Sequence, residues 1–108
     1  MARVIERDEV RRLLAEGDAV LVEVMPEEEF RRSHIAGAVN IPLERIGSTC
    51  RARYRPEQQL ILYCADQACA ASGLAARKLA FFGFHEVLEY GAGKQDWQDA
   101  GLPMASGP

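Results

Sequence analysis

Two cysteines in one short segment, Cys64 and Cys69, are the residues of this chain best suited to covalent chemistry. Cys64 directly follows an apolar run of strand length at residues 60–63, and Cys69 directly precedes a segment with helical periodicity. The free N–H groups and the dipole at the start of a helix stabilise a thiolate over a thiol. The position of Cys64 therefore predicts a nucleophilic thiol whose pKa lies below its ordinary value. The alternative is a small buried cysteine at a strand end.

The second cysteine of this segment, Cys69, has several interpretations. It could resolve an oxidised Cys64 as a disulfide, relay sulfur to an acceptor, or simply pack at the start of the helix. The third cysteine, Cys50, has no partner nearby in the sequence. The cysteines, together with His34 and His85, lack the paired spacing that is typical of zinc sites, so no metal is expected.

The apolar pattern predicts the strands and helices that surround Cys64. Short apolar runs predict strands over residues 19–24, 38–41, 60–63 and 86–90. Helices are predicted over residues 6–16, after Pro26, over 70–82 and over 93–100. Residues 50–59 are polar and predict a helix or loop on the surface. Alternating strands and helices indicate an α/β fold with a parallel sheet, in which ligand sites lie beyond the carboxyl ends of strands, as Cys64 does.

Length and charge exclude several classes of function. The 108 residues predict a single domain at residues 1–104, followed by a disordered tail at residues 105–108. The formal charge of −3 provides no basic excess that would favour nucleic acid or an anionic membrane. No apolar run approaches the roughly 18 residues of a membrane span, and no secretory signal is expected. The expected location is therefore the cytoplasm, where thiols stay reduced.

Several motifs together resemble the single-domain rhodanese family. The first half of the resemblance is carried by Leu21-Val22-Glu23-Val24, by Glu28-Glu29-Phe30, and by residues 34–42, which read HIAGAVNIP. The second half is carried by Tyr63-Cys64, by Ala92-Gly93 with Trp97, and by Ala100-Gly101-Leu102-Pro103. The resemblance extends over about residues 4–104, and its second loop cysteine, in Cys69-Ala70-Ala71-Ser72, is typical of one group within the family.

The resemblance implies a fold and an activity. The family fold is a five-stranded parallel sheet flanked by helices on both faces, which adds a first edge strand near residues 2–5. The implied activity is sulfur transfer, in which Cys64 takes a sulfane sulfur from a small donor, holds it as a persulfide and passes it to cyanide, a small thiol or a protein thiol. Neither a metal nor an organic cofactor is implied. The donor or the persulfide would be bound by backbone N–H groups of the residues that follow Cys64, namely Ala65, Asp66, Gln67, Ala68, Cys69 and Ala70.

Departures from the family pattern keep other functions open. Where this chain has Glu23 and Met25, the family often has Asp and Arg, respectively. Where this chain has Gln67, the family often has Gly, and in place of Cys69 it often has Arg, Ser or Thr. The charge in this loop is the negative Asp66, whereas the family frequently has a cation that attracts thiosulfate. One alternative is a catalytically weak regulatory or redox-sensing module that uses Cys64 and Cys69. Another is a phosphatase or arsenate reductase, which the same fold supports but which requires a longer loop.

Residues outside the loop have structural interpretations, and His34 and a basic segment have functional ones as well. His34 could act as a general base, but in the family motif it is structural and orients a turn. Gly93 is expected to keep space clear beside the loop. Trp97 is expected to pack the last helix onto the sheet. A basic segment with Arg51, Arg53 and Arg55 is either a solvated surface or, if it folds toward the loop, an attraction for an anionic donor.

Overall fold

The computed structural model describes residues 2–108, which form a five-stranded sheet, a two-stranded sheet and the surrounding helices. The strands are β1 (Arg3–Ile5), β2 (Val20–Glu23), β3 (His34–Ile35), β4 (Val39–Asn40), β5 (Leu60–Tyr63), β6 (Val87–Tyr90) and β7 (Met104–Ala105). The helices are α1 (Arg7–Glu16), α2 (Glu27–Arg32), α3 (Ile46–Arg53), α4 (Ala71–Phe81) and α5 (Gly93–Asp99), and a 3₁₀ turn covers Leu43–Arg45.

The main sheet is parallel throughout, in the order β1-β6-β5-β2-β4. Strand β5 lies at its centre, where Leu62 is in register with Val22 on β2 and with Glu89 on β6. All four residues of β5 are buried, as the uninterrupted apolar run predicted. The predicted rhodanese-like α/β fold, including its first edge strand, is confirmed.

Helices cover both faces of this sheet. One face packs against α1 and α5, and its buried side chains include Val10, Leu13, Leu21, Ile61 and Trp97. The other face packs against α3 and α4, and its buried side chains include Val22, Cys50, Leu62, Ala75 and Leu79. Because burial of each large apolar side chain contributes about 1.5–3 kcal/mol, these two layers hold the carboxyl end of β5 in a fixed position.

Two backbone contacts involve the segment that the sequence predicted as a disordered tail. Strand β7 pairs antiparallel with β3, which brings Ala105 opposite His34. Beyond it, the Gly107 N–H donates a hydrogen bond to the Arg31 carbonyl over 2.8 Å. Strands of two residues carry no hydrophobic periodicity, and the contact depends on backbone hydrogen bonds, so the sequence pattern gave no sign of it.

The polar segment predicted over residues 50–59 also differs in the structure. Helix α3 begins earlier, at Ile46, and buries Ile46, Gly47 and Cys50 against α4. These three residues recur at positions i, i+1 and i+4 and form a narrow apolar face, which the surrounding arginines conceal in the sequence. Among the described residues 2–108, no helix is long and apolar enough to cross a membrane.

Candidate active site

The cysteine loop, residues 64–69, joins β5 to α4 at the carboxyl edge of the sheet. Its first residues are fixed by the start of α5. The Lys94 N–H donates to the Cys64 carbonyl and the Gln95 N–H donates to the Ala65 carbonyl, both over 2.9 Å. The backbone of Cys64 is thus held by β5 on one side and by α5 on the other.

Gly93 lies directly against the cysteine loop, at a φ of +73°. A Cβ atom at this position would lie 2.6 Å from the Cys64 carbonyl oxygen and 3.0 Å from the Asp66 nitrogen. Both the positive φ and the close approach therefore require glycine. The space that Gly93 was expected to keep clear is occupied by the backbone of the loop itself.

The Cys64 side chain is enclosed. The residue is 1% exposed, and its thiol lies 3.5 Å from the Cys69 carbonyl oxygen and 3.7 Å from Ser72 Oγ. Burial, reinforced by the Cys69 side chain, raises the pKa of the Cys64 thiol to about 11, while the hydroxyl and N–H of Ser72 act in the opposite direction. The low pKa predicted from the helix terminus is therefore wrong, because desolvation of the thiol outweighs the stabilisation that Ser72 provides at the start of α4.

The loop uses part of its own backbone donors internally. The Ala68 N–H donates to the Asp66 carboxylate over 3.0 Å, and the Cys69 N–H donates to the Asp66 carbonyl over 3.1 Å. Asp66 thus stabilises a tight turn, as this residue type commonly does. The Ala68 and Cys69 N–H groups, which were expected to bind a donor or a persulfide, would first have to break their hydrogen bonds to Asp66.

A cleft of about 460 Å³ borders the loop at Gln67. Its charged lining consists of Glu6, Arg7, Asp8 and Asp96. The Arg7 guanidinium forms an ion pair with Asp96 over 2.9 Å, so its charge is already compensated. The formal charge of this lining is therefore negative, and Asp66 adds a further negative charge on the loop.

A buried polar network lies beneath the site. Glu23 is fully buried at the end of β2, where Lys94 donates to one carboxylate oxygen over 3.1 Å and the Tyr63 hydroxyl donates to the other over 2.7 Å. Lys94 also donates to the Ser33 carbonyl over 2.6 Å, and Tyr63 accepts the Ile35 N–H. This network connects β2, β5 and α5 and thereby fixes the positions from which the cysteine loop departs.

A second set of polar contacts begins at the cysteine itself. Ser72, in the first turn of α4, is buried and lies within hydrogen-bond distance of the Cys64 thiol. Its hydroxyl donates to the Glu89 carboxylate on β6 over 2.8 Å. The thiol is therefore connected to a carboxylate through one hydroxyl group.

The other residues considered from the sequence lie apart from the thiol. His34 is buried, stacks on the Phe30 ring at 3.7 Å and hydrogen-bonds the Phe30 carbonyl through Nδ1, as its structural interpretation predicted. Cys50 is buried between α3 and the sheet, where burial raises the pKa of its thiol to about 11. Within residues 2–108, no group of three or more His, Cys, Asp or Glu side chains converges as a metal site.

The arginines of the basic segment lie away from the cysteine loop. Arg51 lies over the Phe82 ring, 5.7 Å from its centroid. Arg53 borders a cleft beside α2, and Arg55 borders a separate cleft. None of the three lines the cleft at Gln67.

Three polar residues connected to Cys64 were not predicted from the sequence, namely Lys94, Ser72 and Glu89. Lys94 could have been inferred from Glu23, because a carboxylate within an apolar strand requires a buried partner. Ser72 lies within the family motif, but the resemblance implies no role for it. Nothing in the sequence indicated a role for Glu89, because an acidic residue in a short strand is as typical of a solvent-facing position as of a functional site.

The chain matches known proteins over almost its whole length. The profile of the family described as Rhodanese-like domain matches residues 6–100. The HTH-type transcriptional regulator Rv0324 of Mycobacterium tuberculosis is 33% identical over 103 residues, which are 95% of this chain and 45% of that protein. The chain thus spans less than half the length of this relative.

Solved structures agree with this match. The BH2092 protein of Bacillus halodurans superposes with a TM-score of 0.88 at 25% identity, covering 97% of this chain and 77% of that one. A thiosulfate sulfurtransferase of Pseudomonas aeruginosa superposes with a TM-score of 0.85 at 26% identity, covering 97% of this chain and 20% of that one. With the fold, the cysteine loop and the sequence match in agreement, this chain belongs to the rhodanese-like domain family.

Proposed function

We propose that this domain is a sulfurtransferase that carries a sulfane sulfur as a persulfide on Cys64 and passes it to a thiol or to cyanide. The observation that carries the proposal is the position of the Cys64 thiol, at the carboxyl end of the central strand and beside the first turn of α4. Ligand sites of open α/β sheets lie at this edge. The similarity to a protein described as a thiosulfate sulfurtransferase supports the same activity.

The proposed reaction has two displacement steps. The Cys64 thiolate attacks the transferable sulfur of the donor, and a new S–S bond forms at Cys64. The bond that held this sulfur in the donor breaks, which is an S–S bond in thiosulfate or a persulfide and a C–S bond in 3-mercaptopyruvate. The leaving group, which is sulfite, a thiolate or the enolate of pyruvate respectively, keeps the electron pair of the broken bond. An acceptor thiolate or cyanide then attacks the outer sulfur of the Cys64 persulfide, and Cys64 leaves as a thiolate.

The charge around the loop favours donors of low negative charge. Thiosulfate is a dianion, whereas the cleft at Gln67 and the loop carry an excess of carboxylates. The dipole of α4 contributes only about 0.3–1 kcal/mol at an exposed site. Repulsion between two unit charges is roughly 4 kcal/mol at about 4 Å and an effective dielectric near 20, and it opposes the dianion. We therefore expect persulfides of small thiols to be better donors than thiosulfate.

Turnover assays test this function. The protein is incubated with thiosulfate, 3-mercaptopyruvate or glutathione persulfide, and thiocyanate formed from cyanide is measured. Wild type and Cys50→Ser should both form thiocyanate, because Cys50 lies away from the cysteine loop. Cys64→Ser should form none. Undiminished turnover by Cys64→Ser would contradict the assignment of Cys64.

A redox-sensing function is a second candidate, and one observation favours it. The Cys64 thiol lies 3.5 Å from the Cys69 carbonyl oxygen, and the Cys69 side chain contributes to the raised pKa of that thiol. Oxidation of Cys64 to a sulfenic acid would allow Cys69 to attack it, which releases water and forms a disulfide. A relative described as a transcriptional regulator is compatible with a rhodanese-like domain in a regulatory protein.

Mild peroxide distinguishes a resolving Cys69 from a passive one. We expect peptide mapping to find a reversible Cys64–Cys69 disulfide in part of the wild-type molecules, because the two thiols share one loop. Cys69→Ser serves as the control, in which Cys64 should instead proceed to sulfinic acid. If Cys64 in wild type were oxidised only to sulfinic or sulfonic acid while Cys69 stayed reduced, Cys69 would have no resolving role.

A further inference from the structure

We propose that Ser72 and Glu89 form a proton relay that converts the buried Cys64 thiol into the nucleophilic thiolate. The inference rests on the proposed sulfur transfer for its biological use, but the activation of the thiol can be measured without any sulfur donor. Ser72 touches the reacting sulfur and is assigned as a catalytic residue. Glu89 acts through Ser72 and is assigned as a positioning residue.

The geometry provides a continuous path for a proton. The Cys64 thiol donates toward Ser72 Oγ over 3.7 Å, and the Ser72 hydroxyl donates to Glu89 Oε2 over 2.8 Å. Both hydrogen bonds point from the sulfur toward the carboxylate. Cys64 and Ser72 are each 1% exposed, so bulk water has little access to the start of this path.

The buried thiol needs such a path because its immediate surroundings do not otherwise remove its proton. Burial keeps the thiol protonated at neutral pH, and only the thiolate is an effective nucleophile. The thiol has a single proton, and its alternative acceptor is the Cys69 carbonyl at 3.5 Å, which is not a base. The nearby Asp66 carboxylate is engaged with the Ala68 N–H in the turn.

Glu89 is suited to receive the proton. It lies on β6 in register with Val4 of β1 and Leu62 of β5, neither of which carries a titratable group. From α4, the residues facing its carboxylate are Ser72 and Gly73, where a Cβ atom would lie 3.6 Å from Oε2. Within residues 2–108, no salt bridge neutralises Glu89. It is half-buried and can therefore exchange the proton with solvent.

The step balances without any co-reactant. The Cys64 proton moves to Ser72 Oγ while the Ser72 hydroxyl proton moves to Glu89 Oε2. Ser72 is again a neutral hydroxyl, Glu89 is a neutral carboxylic acid, and Cys64 holds the negative charge. No electron is transferred, and Glu89 later releases the proton to water. The thiolate lone pair then attacks the sulfane sulfur of the donor, as described above.

The test is the rate of alkylation of Cys64 by iodoacetamide as a function of pH, assigned to the residue by peptide mapping. Glu89→Gln keeps the shape and an oxygen acceptor but removes the base, and Ser72→Ala removes the relay hydroxyl. Glu86→Gln is the matched control, because Glu86 is an exposed glutamate just before β6 with no contact to Ser72. Circular dichroism at each pH verifies that every variant is folded.

At pH 7 we expect Cys64 of Glu89→Gln and Ser72→Ala to react roughly 10²-fold more slowly than wild type, the size of a typical general-base contribution. The difference should shrink as the pH rises toward about 11, where hydroxide removes the proton directly. Glu86→Gln should follow wild type. A Glu89→Gln profile identical to wild type, or a loss that stays constant across the pH range, would overturn the relay.

The outcomes also separate this inference from the proposed function. If wild-type Cys64 shows the expected alkylation profile but takes up sulfur from none of the donors, the relay is supported and the sulfurtransferase proposal fails. If all donors load Cys64 equally fast in wild type and in Glu89→Gln at pH 7, sulfur transfer is supported and the relay fails.

Discussion

At the scale of the residue, the chemistry depends on two opposing influences on Cys64. Enclosure by the loop and the sheet raises the pKa of its thiol, whereas Ser72 stabilises the thiolate through its N–H and its hydroxyl. Desolvation prevails in the resting structure. A reactive Cys64 therefore requires a base, and the Ser72–Glu89 pair is positioned to serve as one.

The charge of Asp66 provides a direct test of donor preference. Replacement by Asn removes a negative charge but keeps an oxygen that can accept the Ala68 N–H, so the turn should persist. We expect Asp66→Asn to lower the KM for thiosulfate severalfold and Asp66→Lys to lower it further. Added salt should reduce these differences, because exposed charges are screened. Steady-state kinetics measures both effects.

The control for this experiment is Glu86→Gln, which removes an exposed charge away from the loop and should leave the KM unchanged. An unaltered KM in Asp66→Lys would show that the potential at the loop does not govern donor binding. The cleft beside α2 that Arg53 borders would then become the candidate anion site.

The sequence identifies Cys64 but leaves open whether its thiol is exposed or buried. The end of an apolar run and the start of a helical one define where a loop lies, and so they identified the thiol. Whether the thiol points to solvent or into the protein depends on how α4 and α5 pack around the loop. That packing involves Gly93, which was expected beside the loop, and Ser72, whose role appears only when distant segments meet.

At the scale of the element, α3 and α4 contain two glycines with opposite expected effects. A Cβ atom at Gly47 would lie 2.2 Å from the Phe82 ring, whereas one at Gly73 would meet Glu89 at an ordinary 3.6 Å. Gly73→Ala should raise the free energy of unfolding by about 0.5–1 kcal/mol, because alanine favours the helix. Gly47→Ala should lower it by about 1–3 kcal/mol, because the Phe82 ring must move.

Urea denaturation of the two variants checks this prediction. Gly47→Ala and Gly73→Ala serve as controls for each other, because the substitution is the same and both sites lie in helices packed on the same face of the sheet. A change of the same sign and size in both variants would mean that helix propensity alone, and not the α3–α4 contact, determines the outcome.

The elements that the sequence predicted best are those with strong periodicity. Residues 60–63 were predicted as a strand and form β5, and the helix predicted over residues 70–82 is α4 at Ala71–Phe81. The pairing of β3 with β7 was missed, because strands of two residues are defined by their partners. Helix α3 was recognised only in part, since its buried face is three residues wide within a basic segment.

At the scale of the whole molecule, buried thiols link stability to pH. Burial raises the pKa of the Cys50 thiol from 9.0 to about 11. Below about pH 9 the thiol is protonated in both states, and its contribution to stability is fully present. As the pH rises from about 9 to about 11, the unfolded chain loses this proton first, and the free energy of unfolding decreases.

Replacement of Cys50 isolates this contribution. Cys50→Ala should lower stability at pH 7, because it leaves a cavity in the core, but its free energy of unfolding should decline less between pH 8 and 11 than that of wild type. Chemical denaturation across this range measures the two slopes. Equal slopes would contradict a protonated, buried Cys50.

Whether Cys64 carries sulfur can be read from the intact mass of the protein after incubation with glutathione persulfide, thiosulfate or 3-mercaptopyruvate. We expect one added sulfur atom on wild type, located on the Cys64 peptide and removed by cyanide. The same adduct is expected on Cys69→Ser and none on Cys64→Ser. If wild type gains no sulfur from any donor, or if Cys64→Ser gains it as readily, Cys64 is not the sulfur carrier.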